Sequence, residues 1–341
     1  MRELSSSGKT GDRSLAHPLP AGRVALYSFE QFDPRLLDES ALLVGDRPRH
    51  VQISRGPLQG QADQIQFDKC ALRIGSLSQT MKIEVEFPRD RATFGLALDA
   101  RQPIRLLGKS FASHDLTLFG PGEEIDALFS AGSRWVTFNL PLEDFTQETA
   151  VISENPRVPV PRGGPLFRAN EQSLTRLRGL LQRVEKLMQG PLQLSGDDQW
   201  RRNVERELTN GFFGLLDNAT LLERGHTEAR LPSARRVVQE AESTLDEEEA
   251  PIPPIADLCR KLGVSRRTLE RAFQDALGVS PSAYFRIRAL NAVRRKLLTM
   301  EPEPGIIARL ALDQGFWHLS RFAQAYRAQF GERPVDTLRG R

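Results

Sequence analysis

The sequence predicts a multi-domain protein in which a β-rich N-terminal domain is followed by a helical connector and an all-α C-terminal domain. Short apolar runs between turn-forming residues predict the strands, apolar residues at helical spacing predict the connector, and a pattern written twice marks the last domain. At 341 residues the chain is long enough for two domains with cores of their own. The predicted segments are a flexible tail over 1–22, the β-rich domain over 23–165, the connector over 166–250 and the C-terminal domain over 251–341.

Alternating apolar and polar residues predict the strands of the N-terminal domain. Ile83, Val85 and Phe87 alternate with charged residues that begin at Lys82, so this strand is expected to have one buried face. The segment 136–140 alternates in the same way, and turn-forming groups separate further short apolar runs. Many short strands at this spacing predict a sandwich, a jelly roll or a small barrel.

Helical spacing predicts three helices in the connector. The first carries a heptad seam two repeats long, which is made of Leu174, Leu177, Leu181, Val184 and Met188. This seam fits packing within its own domain and dimerisation equally well. The other two helices are predicted over 197–217 and 233–245. A proline-rich linker over 155–165 precedes the helices, and an acidic, proline-containing hinge over 246–254 follows them.

One pattern occurs twice in the C-terminal domain. Leu258, Cys259, Gly263, Leu269, Phe273, Gly278 and Pro281 reappear as Leu310, Ala311, Gly315, Phe322, Tyr326, Gly331 and Pro334. The offset is 52 residues for the first three pairs and 53 for the rest, so the second copy has one extra residue just after its glycine. Each copy predicts a helix, a tight turn at glycine and a second helix, which together form a helix-turn-helix unit. The second helix of such a unit can enter the DNA major groove, so two units suit two successive grooves.

Charge is distributed unevenly along the chain. The formal net charge is +3, but residues 255–341 contain 16 Lys and Arg against 8 Asp and Glu, a net charge of +8 that leaves −5 for the other 254 residues. A basic block on a mildly acidic body is typical of a nucleic-acid-binding domain attached to another domain.

The sequence gives no support for several other classes of protein. Cys70 and Cys259 lie far apart without zinc or disulfide spacing, and Cys70 is expected to be a small buried residue of a strand. The five histidines are scattered, and no hydrolase motif or phosphate-binding loop occurs, so we expect no enzyme, metal or cofactor. The chain contains no apolar run of membrane-spanning length and no signal peptide, which predicts a cytoplasmic protein.

The second helix of the first unit has a well-defined predicted outer face. Ser265 is placed to cap its start, and Leu269 and Phe273 are expected to face the core. The predicted DNA-binding residues of this helix are Arg266, Arg267, Thr268, Glu270, Arg271 and Gln274. Arg266 and Thr268, near the start of the helix, are best placed for phosphates.

The other outward residues of this helix suit base edges. Arg267 and Arg271 can bond the O6 and N7 atoms of guanine, and Gln274 can pair with adenine. Glu270 can accept a hydrogen bond from cytosine N4, or it can form an intrahelical ion pair with Arg266 or Arg267. Both roles of Glu270 remain open at this point.

The second unit departs from this pattern. His318, a weaker helix cap, stands at the start of its second helix. The predicted DNA-binding residues of this unit are His318, Leu319, Ser320, Arg321, Ala323, Gln324 and Arg327. Leu319 or Ala323 could touch a thymine methyl group or could pack, whereas Arg321 and Arg327 suit phosphates. We expect this unit to contribute orientation more than sequence information.

Two further features of the C-terminal domain have competing interpretations. Trp317 is expected to pack in the core or between helices, with stacking on a DNA base as the second interpretation. The basic cluster Arg294–Lys296 is expected to form a solvated face, with phosphate neutralisation as the second interpretation.

The C-terminal domain resembles the DNA-binding domain of the AraC/XylS family of transcription regulators. The resemblance is carried by Leu258–Cys259, Gly263–Ser265, Leu269–Phe273, Gly278–Pro281, Tyr284, Arg288, Ala292, Leu297–Leu298, Leu310–Ala311, Gly315–Phe316, Phe322, Tyr326, Phe330–Gly331 and Pro334. It covers the last quarter of the chain and implies two helix-turn-helix units joined by a long helix, here at about 282–299. The stretch 315–319 is also similar to the ethanolamine-utilisation regulator branch.

The resemblance implies a regulator that binds double-stranded promoter DNA, commonly activates transcription as a homodimer and recruits RNA polymerase. It also implies that the N-terminal domain, expected to be cupin-like or jelly-roll-like, senses a small-molecule effector. Two other hypotheses make this domain a cupin-type metalloenzyme or an assembly module without a ligand. Metal analysis tests the first, and a ligand-dependent melting temperature tests the second.

Overall fold

The structure is a computed structural model of the chain, and it describes residues 24–29, 49–99, 102–106, 108–152, 163–189, 198–223, 233–244 and 253–340. The predicted tail, most of the proline-rich linker and most of the acidic hinge lie outside these residues.

Thirteen strands in the described residues form two sheets in which every pairing is antiparallel. The strands are β1 (Val24–Phe29), β2 (Arg49–Gln52), β3 (Gly60–Gln66), β4 (Ala71–Leu77), β5 (Met81–Glu86), β6 (Arg91–Asp99), β7 (Ile104–Leu106), β8 (Lys109–Phe111), β9 (Asp115–Phe119), β10 (Glu124–Phe129), β11 (Ser133–Pro141), β12 (Leu166–Arg168) and β13 (Thr220–Glu223). The larger sheet has the order β1-β3-β4-β11-β6-β9-β12-β13, and the smaller has the order β2-β5-β10-β7-β8. The β-rich prediction is confirmed.

Ten helices occur in the described residues. They are α1 (Leu142–Ile152), α2 (Glu171–Gln189), α3 (Asp198–Asp217), α4 (Ser233–Ser243), α5 (Ile255–Leu262), α6 (Arg266–Leu277), α7 (Pro281–Thr299), α8 (Ile306–Asp313), α9 (Leu319–Phe330) and α10 (Pro334–Arg339). The three connector helices and the long helix between the two units are present within a few residues of their predicted bounds.

The β-rich domain contains two apolar layers. On one face of the larger sheet, Phe94 and Phe138 pack against α3, where the rings of Phe138 and Phe212 stack with centroids 4.5 Å apart. On the other face, the two sheets enclose a core that includes Phe119 and Phe129. Successive side chains of a strand point to opposite faces, so strands buried on both faces are rich in apolar residues throughout.

The predicted connector does not form a unit of its own. Helices α2 and α3 close one face of the larger sheet, and β12 and β13 extend that sheet. Helix α4 packs instead on the first helix-turn-helix unit, where Val238 and Ala241 lie among Leu269 and Phe273. The connector residues are therefore divided between two cores.

The heptad seam packs within its own domain. Leu174, Leu177, Leu181 and Val184 are buried in the core between the larger sheet and α2–α3. Four of its five predicted members are therefore used inside the chain, and the seam gives no support to dimerisation.

In the described residues, no helix combines the length and the apolar character needed to cross a bilayer.

Candidate DNA-binding interface

The start of helix α6 is fixed by the predicted cap. The backbone N–H of Thr268 donates to Ser265 Oγ at 3.1 Å, and Ser265 has the extended backbone of an N-cap residue (φ −69°, ψ 155°). Leu269 and Phe273 are buried, and the ring of Phe273 lies 5.5 Å from that of Tyr284 on α7. The helix is thus held rigidly on its inner face.

The predicted outer face of α6 is exposed along its length. The exposed residues include Arg266, Arg267, Thr268, Glu270, Arg271 and Gln274. Arg266 Nε lies 2.9 Å from Glu270 Oε1, and Arg271 Nε lies 3.5 Å from Asp275 Oδ2. Arg267 forms no ion pair with any described residue. Of the two roles that the sequence left open for Glu270, the structure shows the ion pair with Arg266.

Helix α9 presents the outer face of the second unit. Its N-cap His318 forms no side-chain capping bond, as the sequence predicted. The exposed residues include His318, Leu319, Ser320, Arg321, Ala323, Gln324 and Arg327. Helix α9 contains Arg321 and Arg327 but no carboxylate. The two outer faces therefore differ in chemistry, because α6 carries ion pairs and α9 is cationic and partly apolar.

The prediction that Trp317 packs in the core is wrong. Its side chain is 76% exposed, directly before the N-cap of α9. Phe316 occupies the core position instead, with its ring 5.2 Å from that of Phe322. Both residues are aromatic and follow the same turn glycine, so residue type alone does not show which of the two rings is buried.

The solvated-face interpretation of the cluster at 294–296 fails for Arg294. This residue is 4% exposed; its guanidinium lies 2.8 Å from Glu332 and 4.7 Å from the ring centroid of Phe330. Arg294 thus joins α7 to the end of α9, and its buried charge is paired with Glu332.

A polar joint that the sequence did not reveal connects the smaller sheet to the C-terminal domain. The backbone N–H of Gln52, on β2, donates to Asn291 Oδ1 at 3.0 Å, and its side-chain amide donates to the carbonyl of Gln329 at 3.0 Å. Gln329 in turn donates to the carbonyl of Gln52 at 2.8 Å. Since Asn291 lies on α7 and Gln329 on α9, strand β2 holds both helices. The available signal was an amide residue, Asn291 or Gln329, beside the apolar residues of each helix.

The first unit also takes part of its core from the β-rich domain. Ile53 is buried among α4, α6 and α7, and Val51 and Leu128 pack against the same cluster. The core beneath α6 therefore includes residues of the β-rich domain, of which Val51 and Ile53 lie more than two hundred positions earlier in the chain.

Lys82 lies at the centre of an ionic cluster at this junction. Its side chain is 3% exposed, and Nζ lies 3.0 Å from Glu242 on α4 and 3.5 Å from Asp126 on β10, with Glu84 also in contact. The hydroxyl of Tyr284, on α7, donates to Glu242. Burial by itself lowers the pKa of Lys82, but the surrounding carboxylates outweigh it and the pKa is raised well above its ordinary value. The polar face of β5 is thus covered by the helices of the other domain.

Unpartnered polar atoms lie between the two sheets. Gln64 is 0% exposed, and neither atom of its amide has a hydrogen-bond partner among the described residues. The hydroxyls of Thr117 and Thr137 are in the same condition. The strand register places Gln64 opposite Arg73, Arg73 opposite Thr137, and Thr137 and Thr117 on either side of Gly95, in one row across the larger sheet. This row alternates with residues of the helix-covered core, so it faces the smaller sheet.

The cysteines and histidines form no cluster in the described part of the chain. Cys70 is buried as predicted, and burial raises the pKa of its thiol. No group of three or more His, Cys, Asp or Glu residues is placed to hold a metal ion in the regions that the structure covers.

Comparison with known proteins places these features in a family. A family model described as a helix-turn-helix domain matches residues 258–340. The chain is also 30% identical over 235 residues to XylDLEGF operon transcriptional activator 1 of Pseudomonas putida, across 67% of this chain and 68% of that protein. The chain belongs to the AraC/XylS family of transcription regulators. Its C-terminal domain is a DNA-binding domain of that family, and the curated relatives that it matches are regulators of transcription.

One further relative and two solved structures are also similar to the chain. The probable thc operon regulatory protein of Rhodococcus erythropolis is 35% identical over 85 residues, which are 25% of this chain and 26% of that protein. Among solved structures, the AraC-like transcriptional activator CuxR is 12% identical with a TM-score of 0.35, over 80% of this chain and 87% of that one. ToxT from Vibrio cholerae is 10% identical with a TM-score of 0.31, over 95% and 97% of the two chains.

Proposed function

We propose that this AraC/XylS-family chain is an effector-responsive activator that binds promoter DNA in the cytoplasm, acts by binding and not by catalysis, and recruits RNA polymerase. The observation that carries the proposal is the outer face of α6. It begins at a capped, well-packed helix start and presents Arg267 and Arg271 to solvent. A rigid helix with exposed guanidinium groups suits bidentate bonds to guanine in the major groove.

We assign different tasks to the residues of α6. Arg267 and Arg271 read bases, and Gln274 extends the reading by one further turn. Arg266, already paired with Glu270, lies with Thr268 at the helix start and contacts phosphates. Glu270 orients Arg266 in this arrangement, so its contribution to base reading is indirect.

The test of base reading compares two replacements of Arg267. The DNA is a duplex selected from random sequences by the full-length protein, with a scrambled duplex as the reference. Arg267→Lys keeps the charge but loses the planar fork, so it should lose much of the selectivity that Arg267→Ala loses, about 1–3 kcal/mol. Equal affinity of Arg267→Lys and the native protein for the selected duplex would refute base reading by this residue.

A matched control separates base reading from general charge. Arg309, on α8, is exposed and lies 3.6 Å from Glu303. Arg309→Ala removes the same charge from the same domain and should leave the ratio of selected to scrambled affinity unchanged.

We propose further that the β-rich domain binds a small polar effector between its two sheets. Gln64, Thr117 and Thr137 bury polar atoms for which the described residues supply no partner. Each such atom costs about 1–3 kcal/mol when it stays unpaired, so a ligand that bonds them gains affinity from a cost the protein already bears. The fitting ligand carries both hydrogen-bond donors and acceptors, because the Gln64 amide offers both.

The replacement Gln64→Leu tests this site. Leucine removes the unpaired amide, so the ligand-free protein should be at least as stable as the native one. A compound that raises the melting temperature of the native protein should fail to do so in Gln64→Leu. Full retention of the shift would place the effector elsewhere.

Two other functions of this domain give different results in the same experiments. A pure assembly module shows no melting shift with any compound. A metalloenzyme contains stoichiometric metal after purification, which elemental analysis detects.

A further inference from the structure

We propose that Trp317 and Leu319 make the second unit a reader of thymine 5-methyl groups in the DNA major groove. The inference rests on the proposed function, because it assigns a recognition chemistry to a helix already taken to lie on DNA. It replaces the expectation that this unit serves mainly for orientation.

Backbone hydrogen bonds identify the extra residue in the second copy of the repeat. In the first unit, the backbone N–H of Val264 donates to the carbonyl of Cys259 at 3.1 Å, and Ser265 caps the next helix. In the second unit, the N–H of Phe316 donates to the carbonyl of Ala311 at 2.9 Å. Cys259 and Ala311 are repeat partners, so Phe316 is the structural equivalent of Val264.

It follows that Trp317 is the surplus residue. It stands between the equivalent of Val264 and the N-cap His318, a place for which the first unit has no counterpart. Phe316 is buried in the core of the second unit, so Trp317 is turned outward. The insertion thus adds a large apolar side chain at the entrance of the recognition helix and adds nothing to the core.

The first turns of α9, which follow Trp317 in the chain, also carry exposed apolar side chains. Leu319 is 43% exposed, and Ala323 follows one turn later on the same side of α9. Packing, the other interpretation of these two residues, does not account for their exposure. Exposed apolar side chains that lie together on a folded surface, unlike single ones, indicate a binding partner.

The charges of α9 favour DNA as the binding partner. The apolar side chains share α9 with Arg321 and Arg327, both exposed, and no carboxylate lies on this helix. A cationic surface fits the phosphates on either side of a groove, and apolar side chains between phosphate contacts fit the thymine methyl group. A protein partner of matching chemistry remains an outcome of the test.

The experiment removes methyl groups from the DNA. Thymines of the selected duplex are replaced one at a time by deoxyuridine, which lacks only the 5-methyl group, and Kd is measured with the full-length protein. At one or more positions in one half-site, Kd should rise about fourfold for the native protein. Leu319→Ala or Trp317→Ala should bind the two duplexes equally at those positions.

The controls lie in the same domain. Met300→Ala shortens another exposed apolar side chain, at the end of α7, and should keep the full thymine preference. Thermal melts of all three variants verify the fold. The inference is overturned if no replacement of thymine by deoxyuridine in the selected site raises Kd. It is also overturned if such a rise in Kd persists unchanged in both Leu319→Ala and Trp317→Ala. Failure to select any preferred duplex overturns the proposed function and this inference together.

A second readout follows Trp317 itself. Subtracting the fluorescence of Trp317→Phe from that of the native protein gives the emission of Trp317. Acrylamide should quench this emission less in the complex with the selected duplex than in the free protein. Unchanged quenching in the DNA complex contradicts the contact. If Trp317 is protected from acrylamide quenching only when RNA polymerase is added, then Trp317 contacts a protein partner, and the inference is overturned for this residue.

Discussion

Replacing Lys82 by methionine should strongly weaken the junction between the β-rich domain and the C-terminal domain. Lys82 lies on β5, and it balances Glu242 on α4, Asp126 on β10 and Glu84 within its own strand. Methionine has a similar length and no charge, so the volume of the site is nearly kept. The change therefore isolates the loss of the cation.

The size of the effect follows from burial. Lys82 is almost entirely buried, and removing one partner of a buried ion pair costs about 3–5 kcal/mol because the other charge stays without compensation. Adding Glu242→Gln removes one stranded charge and keeps an oxygen that can accept from Tyr284. The double variant should recover about 1.5–3 kcal/mol of the loss. Together with the Glu242→Gln single variant, it gives the coupling between the two side chains.

Urea unfolding followed by circular dichroism and by tryptophan fluorescence measures both values, provided that the two transitions coincide. The pKa of Lys82 is raised above its ordinary value despite its burial. The stabilisation from its charge is therefore fully present below the ordinary pKa and is lost as the pH rises through the raised pKa. Burial also raises the pKa of Glu242, and Lys82→Met removes the cation that opposes this rise, so the penalty should be no smaller at pH 9 than at pH 7. A penalty below about 1 kcal/mol, or no recovery in the double variant, would refute the role of the cluster.

Three further changes have defined outcomes. Arg271→Ala should weaken binding to the selected duplex by about 1–3 kcal/mol and leave the affinity for scrambled DNA unchanged. Asp275→Ala removes the ion-pair partner of Arg271 and should leave both affinities unchanged. An equal loss of affinity of Arg271→Ala for both duplexes would contradict base reading. Gly75→Ala places a Cβ 2.4 Å from the ring of Trp135, so the unfolding midpoint in urea should fall by an amount equivalent to about 1–3 kcal/mol, and an unchanged midpoint would show that the ring moves freely. Gln52→Ala removes the amide that bonds Gln329, so limited proteolysis should cut between the domains faster than in the native protein, and an unchanged rate would argue against the joint.

The sequence predicts the C-terminal domain most closely because local rules determine it. Ser265 caps α6 and Leu269 and Phe273 face inward, since capping and helical spacing depend on neighbouring residues alone. The outward residues of α6 follow from the same spacing. Their exposure was therefore predictable, although their partners on DNA were not.

The failures concern what covers a surface. Alternation placed Lys82 on the face of β5 opposite the core residue Ile83, but it could not show that α4 and α7 lie over that face. The joint at Gln52 and Asn291 joins positions 239 residues apart, and no local pattern encodes such a pairing. Each of these contacts depends on how the domains meet.

Trp317 shows a different limit. Its neighbour Phe316 has the same apolar, aromatic character, and it is the ring of Phe316 that lies in the core beside Phe322. The change of offset between the repeats located an insertion in this turn without showing which residue was surplus. The backbone bond from Phe316 to Ala311 decides it.

We propose that the chain reads a DNA sequence through the exposed helices α6 and α9 of its two helix-turn-helix units. The most direct test measures binding of the full-length protein to DNA from the region upstream of its own gene and to scrambled DNA of equal length, across a series of salt concentrations. Sequence reading predicts a gap in affinity that remains as salt weakens the phosphate contacts on both duplexes. Equal affinities that fall together at every salt concentration, with and without candidate effectors, would contradict the claim.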